Sequence, residues 1–475
     1  MGRSFHDARR AGHAEVTTVS PAGGRTLRGR LGCVLICLFP VVGSAQGILP
    51  VEYAGRRTAL MDRVPNGVIL LHAETGEKPL SQPSYLQNST FLYFTGEAEL
   101  PNAVLALDGI AREVRLFVPP APTAFWFSVE GIVPEPGARS AARLGVTAVQ
   151  PWDSLVPYLH RRIAAGVTTL YVDEARWPEA LGTPSGLDPV AGSRELWRRS
   201  LARAFPGATI ASVAKEIREM RFVKSPAEVA ILRDNARATA QALLSGLPMF
   251  RPGARQRLAE ARIAMGCVEA GAVGPSFWPW TMTGPNAHVR ALAGSVYSYT
   301  QLDRTMQAGE LVRVDIGCTN HNYGSDVGRT VPVSGTFSAA QREIWDLLID
   351  AYRAGLAHLR AGVAIADVLA TSREQILRRQ PGLKTPQARQ AAELLLGPKG
   401  MSDWSIHSVG IDSGESSLPV LSAGAVIAFE PIFSVGDDAF YLEDTILVTE
   451  RGHEVLSSGL PYTADEIERA MRTRK

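Results

Sequence analysis

The sequence predicts an α/β domain followed by an α+β domain, on three observations. At 475 residues the chain is too long for one typical core and suits two domains of about 150–250 residues. Its first half alternates short apolar strands with helical stretches, the pattern of a layered α/β structure. Its second half opens long helices with capping boxes and sets strand hairpins between and after them. With 45% hydrophobic and 20% charged residues and no short-period repeat, disordered, collagen-like and solenoid classes are excluded.

The N-terminal stretch "RTLRGRLGCVLICLFPVVGSAQG" sets arginines before an apolar run, then Gly43 and Ala45 around Ser44. This fits a secretory signal over residues 1–45, cleaved after Ala45. The run is shorter than the roughly 20 residues of a membrane span, so no stable span is expected after cleavage and the mature chain is expected in the periplasm or outside the cell. The thirty residues ahead of the run are long for such a leader, which keeps an apolar anchor or a later start as competing readings. Cleavage removes six of the 49 basic and two of the 47 acidic residues, leaving 43 against 45 and a net charge of −2. That balance gives no support for a nucleic-acid partner. Only Cys267 and Cys318 then remain of four cysteines, too few to establish a disulfide framework.

Residues 46–210 are read as the first domain. "EYAGRRTALMDRV" is helical; "GVILLHA", "AVLALDG" and "VRLFVPP" are strands broken by Pro and Gly; "WDSLVPYLHRRI" is a further helix. Residues 207–225 are expected to form the join, and 211–475 the second domain. There Ser225, Pro226 and Glu228 form a capping box, as do Ser338 and Gln341, with Gly362 expected to close the second helix.

Two hairpins in this half carry acids. In "VRVDIGCTNHNYGSDVGRT" a turn centred between Asn320 and His321 would place Asp315 opposite Asp326, with β-carbons about 5 Å apart. In "AVIAFEPIFSVGDDAFYLEDTILV" a turn at Gly436-Asp437 would place Glu430 opposite Glu443. Facing carboxylates repel, and one in an apolar strand is costly unless paired or protonated. One pair alone could share a proton or bind Arg313 or Arg329; two pairs favour divalent cations. His407, in "DWSIHSVGID", adds an imidazole. Two Asp, two Glu and one His suit two hard or borderline ions, Mn²⁺ first, with Zn²⁺, Co²⁺ or Fe²⁺ as alternatives. Two such ions hold a bridging hydroxide and polarise a carbonyl. Taken singly, each residue has a plainer reading as a core histidine or a turn acid; the joint spacing favours the metal site.

These motifs resemble those of the aminopeptidase P, prolidase and methionine aminopeptidase superfamily. "VDIG" with "SDVGRT" is similar to its two-aspartate motif, "HSVGID" to its histidine motif, "FEP" and "LEDTILVT" to its two glutamate motifs, and "TGPNAH" to the loop before the first aspartate. "STFLYFTG", "LFVPP" and "IREMRFVKSPAEVAILR" resemble the N-terminal domain and helical linker of aminopeptidase P, so the likeness spans roughly residues 46–475. It implies a pita-bread fold for the second domain, Asp315, Asp326, His407, Glu430 and Glu443 as metal ligands, and Glu430 also as the base. It further implies an Xaa-Pro aminopeptidase acting on peptides with proline second, which the leader would export, and a homodimer or tetramer.

The sequence departs from that family where substrate is handled. Histidines usual seventeen residues before the first aspartate, four before the ligand histidine and seven after it are here Ser298, Asp403 and Gly414. The arginine usual two residues before the last glutamate is Tyr441. His288, alone on its loop, and Asp403 are the candidates to compensate. The departures leave open another amide or ester substrate, or a metal-binding homologue with little turnover. Other hydrolase classes fit worse: no G-x-S-x-G elbow is present, and "HEVLS" lacks the second histidine of H-E-x-x-H.

Overall fold

The structure is a computed structural model and describes residues 47–75, 86–120, 123–124, 127–128, 133–173, 193–288, 291 and 302–473. The expected leader and Ser298 lie outside the described residues. Gln46–Lys475 form one compact unit built on two separate sheets.

The first sheet holds β1 (Val68–His72), β2 (Val104–Asp108), β3 (Glu113–Val118), β4 (Ala148–Pro151), β5 (Thr169–Val172) and β6 (Thr209–Ser212), in the order β4-β3-β2-β1-β5-β6. The central β1–β2–β3 ladders are antiparallel, and the outer pairings are parallel. Helix α1 (Pro50–Arg63) packs on it and buries Arg56, Arg57, Leu60 and Met61. Strand β6 lies inside the stretch 207–225 that the sequence suggested as the join, because "ATIAS" pairs in parallel with β5. The helix at Ala214–Phe222 then leads to the second sheet.

The second sheet is preceded by α2 (Pro226–Gly246), which starts at the expected capping box of Ser225 and Glu228. After α3 (Gln256–Glu269), the short β7 (Gly274–Pro275) and β8 (Trp280–Thr283) come β9 (Leu311–Ile316), β10 (Cys318–Thr319) and β11 (Val327–Pro332). Helix α4 (Ala339–His358) begins at the Ser338–Gln341 capping box. It stops at Leu359, whose backbone is extended, so Gly362 (φ +81°) shapes the turn beyond rather than closing the helix. Then follow β12 (Ser405–Ser408), β13 (Val426–Glu430), β14 (Ile432–Val435), β15 (Asp438–Val448) and β16 (His453–Val455). The order is β8-β9-β11-β15-β13-β12, with β14 and β16 also on β15, and every pairing is antiparallel. Helices cover one face through an apolar core that includes Trp345, Tyr352, Ile344 and Phe429.

The two hairpins differ in how their registers compare with expectation. On β13–β15, Phe429 faces Asp444, and on β14–β15, Val435 faces Asp438 across the Gly436-Asp437 turn, the expected register. The β9–β11 register is shifted: Asp315 faces Gly328, not Asp326. The reason is the turn. Asn320 and Tyr323 exchange both backbone hydrogen bonds, and the two residues between them, His321 and Asn322, have φ of +51° and +61°. That is the left-handed pair a tight two-residue hairpin requires, and it lies one residue later than expected. A shift of two positions preserves the side-chain face, so both aspartates still point the same way.

Candidate metal centre

Pairing places the candidate ligands in adjacent rows on one face of the sheet. Asp315 on β9 faces Gly328 on β11, and Gly328 faces Glu443 on β15. Glu430 ends β13 at the position opposite Glu443, given the ladder around it, and faces Ser405 on β12. One row along, Asp326 precedes β11 and His407 on β12 faces Ala428. Four strands therefore deliver four of the donors, and the residue just before β11 delivers the fifth.

The side chains meet there. His407 Nε2 lies 3.5 Å from Glu430 Oε1, 3.6 Å from Glu443 Oε1 and 3.8 Å from Asp326 Oδ2. These separations are longer than hydrogen bonds and suit donors that share an ion. Donor atoms of Asp326, His407 and Glu443 all lie within 4.8 Å of one another, and the carboxyl of Asp315 reaches that of Asp326. His407 Nδ1 lies 3.1 Å from the Ser408 carbonyl, which can accept its proton and so leave Nε2 free to bind a metal. Glu443 is fully buried, yet its Oε1 has no hydrogen-bond partner. A buried carboxylate oxygen left open among other acids fits a cation.

Electrostatics point the same way. Burial pushes the Asp315 carboxyl up to about 7 against the pull of Arg313. Burial and the neighbouring Glu443 push Glu430 up to about 7. Asp326 is held well above its ordinary value by burial, Glu443 and Asp315, and burial raises Glu443. Burial would lower His407, but Glu443 and Glu430 drive it up to about 9. Burial and mutual repulsion thus disfavour the charged carboxylates together, and divalent ions bound among them would relieve that repulsion.

Tyr441, where the resembling family usually has an arginine, is buried and donates its hydroxyl to Glu443 Oε2 and, at 3.3 Å, to Glu430 Oε2. Asp403 is exposed in the turn before β12. Gly414 is exposed, with open space where a side chain would project. His288 buries its Nε2 without a partner and interacts with Asp438, near the tip of the β14–β15 hairpin.

A buried ion-pair group behind β12 escaped the sequence reading. Lys224 Nζ contacts Ser408 Oγ (2.6 Å) and Glu415 Oε2 (3.3 Å), and Arg221 binds Glu415 and Asp412. Glu415 and Ser408 also exchange backbone hydrogen bonds, which fixes the strand end beside His407. Nothing local in "GIDSGESS" signals this, because the partners lie 191 and 194 residues away.

Comparison with known proteins is consistent with this geometry. The sequence profile of metallopeptidase family M24 matches residues 230–450, and that of the aminopeptidase P N-terminal domain matches residues 53–171. The chain is 29% identical over 452 residues to the Xaa-Pro aminopeptidase of Escherichia coli, covering 88% of this chain and 97% of that protein. The chain belongs to metallopeptidase family M24. Within that family it is similar to the mitochondrial intermediate cleaving peptidase 55 of Arabidopsis thaliana, at 26% identity over 89% of this chain and 83% of that one. The solved aminopeptidase P of E. coli with the inhibitor Pro-Leu superposes with a TM-score of 0.72 at 25% identity, covering 90% of this chain and 99% of that chain. This M24 metallopeptidase thus has the aminopeptidase P N-terminal domain followed by the pita-bread domain.

Proposed function

We propose that this chain is an exported dinuclear metallo-aminopeptidase that releases the residue ahead of proline, with Mn²⁺ as its ions. The observation that carries the reading is the convergence of Asp315, Asp326, His407, Glu430 and Glu443 on one sheet face, with Glu443 Oε1 buried and unpartnered. Relatives named Xaa-Pro aminopeptidase support the substrate class. Four carboxylates and one imidazole suit a hard or borderline ion.

Divalent ions in such a site supply a Lewis acid for the scissile carbonyl and a water acidified enough to attack near neutral pH. The protein's own residues do the rest. His407 stays neutral at Nε2 once its Nδ1 proton is engaged by the Ser408 carbonyl. Glu430, whose side chain is 24% exposed and thus reachable by water, is placed to take a proton from the attacking water and pass it to the leaving amine. Buried Glu443 and Asp326 hold position.

Export is supported by the apolar leader with its small-residue cleavage site and by the Cys267–Cys318 disulfide, since such bonds persist in oxidising compartments.

The test is release of the first residue from X-Pro-Y peptides by the purified protein with added Mn²⁺. Asp326→Ala and Glu430→Ala are expected to lose both metal and turnover. Absence of bound metal under saturating Mn²⁺ would overturn the reading. The exposed Asp403 and the open space at Gly414 favour a second reading, a metal hydrolase of another amide or ester. Two bound ions with no X-Pro cleavage, alongside hydrolysis of such a substrate, would select it.

A further inference from the structure

We propose that Arg313 and Tyr441 form a cross-strand positioning pair that aims the ligand carboxylates, a cation and a hydroxyl on separate strands where the resembling family has one arginine at position 441. This rests on the dinuclear reading above. The two residues lie one row below the ligands on the same sheet face: Arg313 faces Thr330 on β11, and the Thr330 hydroxyl exchanges hydrogen bonds with the Tyr441 backbone. Both side chains therefore run toward the row of Asp315, Gly328 and Glu443.

Arg313 is 1% exposed and poorly partnered. Its Nε donates to the Ala287 carbonyl at 3.2 Å, its Nη1 stops 4.0 Å from Asp315 Oδ2, and its buried Nη2 has no partner. Arg329, equally buried on the adjacent strand β11 but on the opposite face of the sheet, shows what a structural arginine looks like here. It donates to the carbonyls of Pro461, Gly328 and Glu443 and to the Asp444 carboxylate. Burying a guanidinium is costly unless charge or hydrogen bonds offset it. For Arg313 the nearby anion is Asp315, so the cation is held in place by the site's own charge.

Tyr441 completes the pair. Its ring lies beside the guanidinium, with Arg313 Cζ 5.7 Å from the ring centroid, within the range of cation–π attraction. Its hydroxyl engages Glu443 and Glu430 together. The guanidinium thus faces one end of the ligand row while the phenol fixes the other, and the stacked pair sets the two ends relative to each other. Partners of this kind orient metal ligands, and their loss typically weakens metal binding 10–100-fold.

The test is calorimetric Mn²⁺ titration of the purified protein, with melting curves as a fold control. Arg313→Met is expected to weaken Mn²⁺ binding by about 10–100-fold while unfolding stays cooperative. Tyr441→Arg in the Arg313→Met background is expected to restore binding, because it returns one cation to the row; a merely structural arginine would not be replaced from another strand. Tyr441→Phe, which removes only the hydroxyl, carries the test should Arg313→Met fail to fold, and is expected to weaken binding at least tenfold with little change in melting. Unchanged Mn²⁺ affinity in these single variants, or no recovery in the exchanged protein, overturns the pair. Failure of the unaltered protein to bind two ions would instead overturn the dinuclear reading.

Discussion

Glu415 joins residue chemistry to the position of His407. Burial alone would raise its carboxyl, but Arg221 and Lys224 beside it bring it down to about 2. A carboxyl held below its ordinary value near 4.5 adds stability that is fully present above that value and is lost as pH falls toward 2. Glu415→Gln leaves Lys224, itself fully buried, without its counter-ion, and breaking a buried pair costs about 3–5 kcal/mol. The variant is therefore expected to melt well below the unaltered protein at pH 7, with the gap narrowing below about pH 4.5 and closing only below about pH 2, where the carboxylate is protonated in the unaltered protein as well. A melting gap that stays constant over that range would show that Glu415 acts through its shape and not its charge. The ligand acids were legible one by one in the sequence because each sits in a short apolar strand. Arg313 was named there only as one possible partner of an acid pair, and Glu415 was not identified, because their roles depend on partners on adjacent strands or far along the chain.

Among the elements, the sequence could identify strands and helix caps but not every register. Gly436-Asp437 offers one turn centre, and the register read from it matches the ladder. In "TNHNYG" the sequence suggested a turn centred between Asn320 and His321, and the structure turns at His321-Asn322. The site survived that error because a shift of two positions leaves every side chain on its face. What the shift changed is the neighbour of Asp315, now Gly328. A β-carbon at Gly328 would lie 1.9 Å from Tyr441 Cε1, so glycine there makes room for the ring between the two carboxylate strands. Gly328→Ala is expected to cost about 1–3 kcal/mol by overpacking, to swing the phenol off Glu443 and to weaken Mn²⁺ binding, with circular dichroism little changed. Gly414→Ala, with nothing within 4 Å of the added carbon, serves as the control and is expected to stay within about 0.5 kcal/mol of the unaltered protein. Equal effects at the two glycines would refute the packing argument.

At the scale of the whole molecule, the sheets are joined by buried charge as well as apolar packing. Arg56 on α1 pairs with Glu228 at the start of α2 and lies over the Tyr93 ring, so the first sheet's covering helix is tied to the helix that precedes the metal domain. A covalent tie lies deeper. Cys267 on α3 and Cys318 on β10 are both fully buried and bonded across 51 residues, and β10 is the strand that leaves the sheet just after Asp315. The sequence showed the two cysteines but not their distance, so the bond could not be read from it. Closing a loop of that length removes unfolded-state entropy equivalent to about 4 kcal/mol on the chain-entropy account, or a melting shift of about 4–5 °C for a chain of this size. Protein purified from an oxidising compartment without its leader is expected to show no free thiol when unfolded, two after reduction, and a melting temperature lower by that amount once reduced. Two thiols titrating before reduction would remove the bond and, with it, the structural support for export. The full shift would mean that oxidation helps keep the segment after Asp315 anchored to α3.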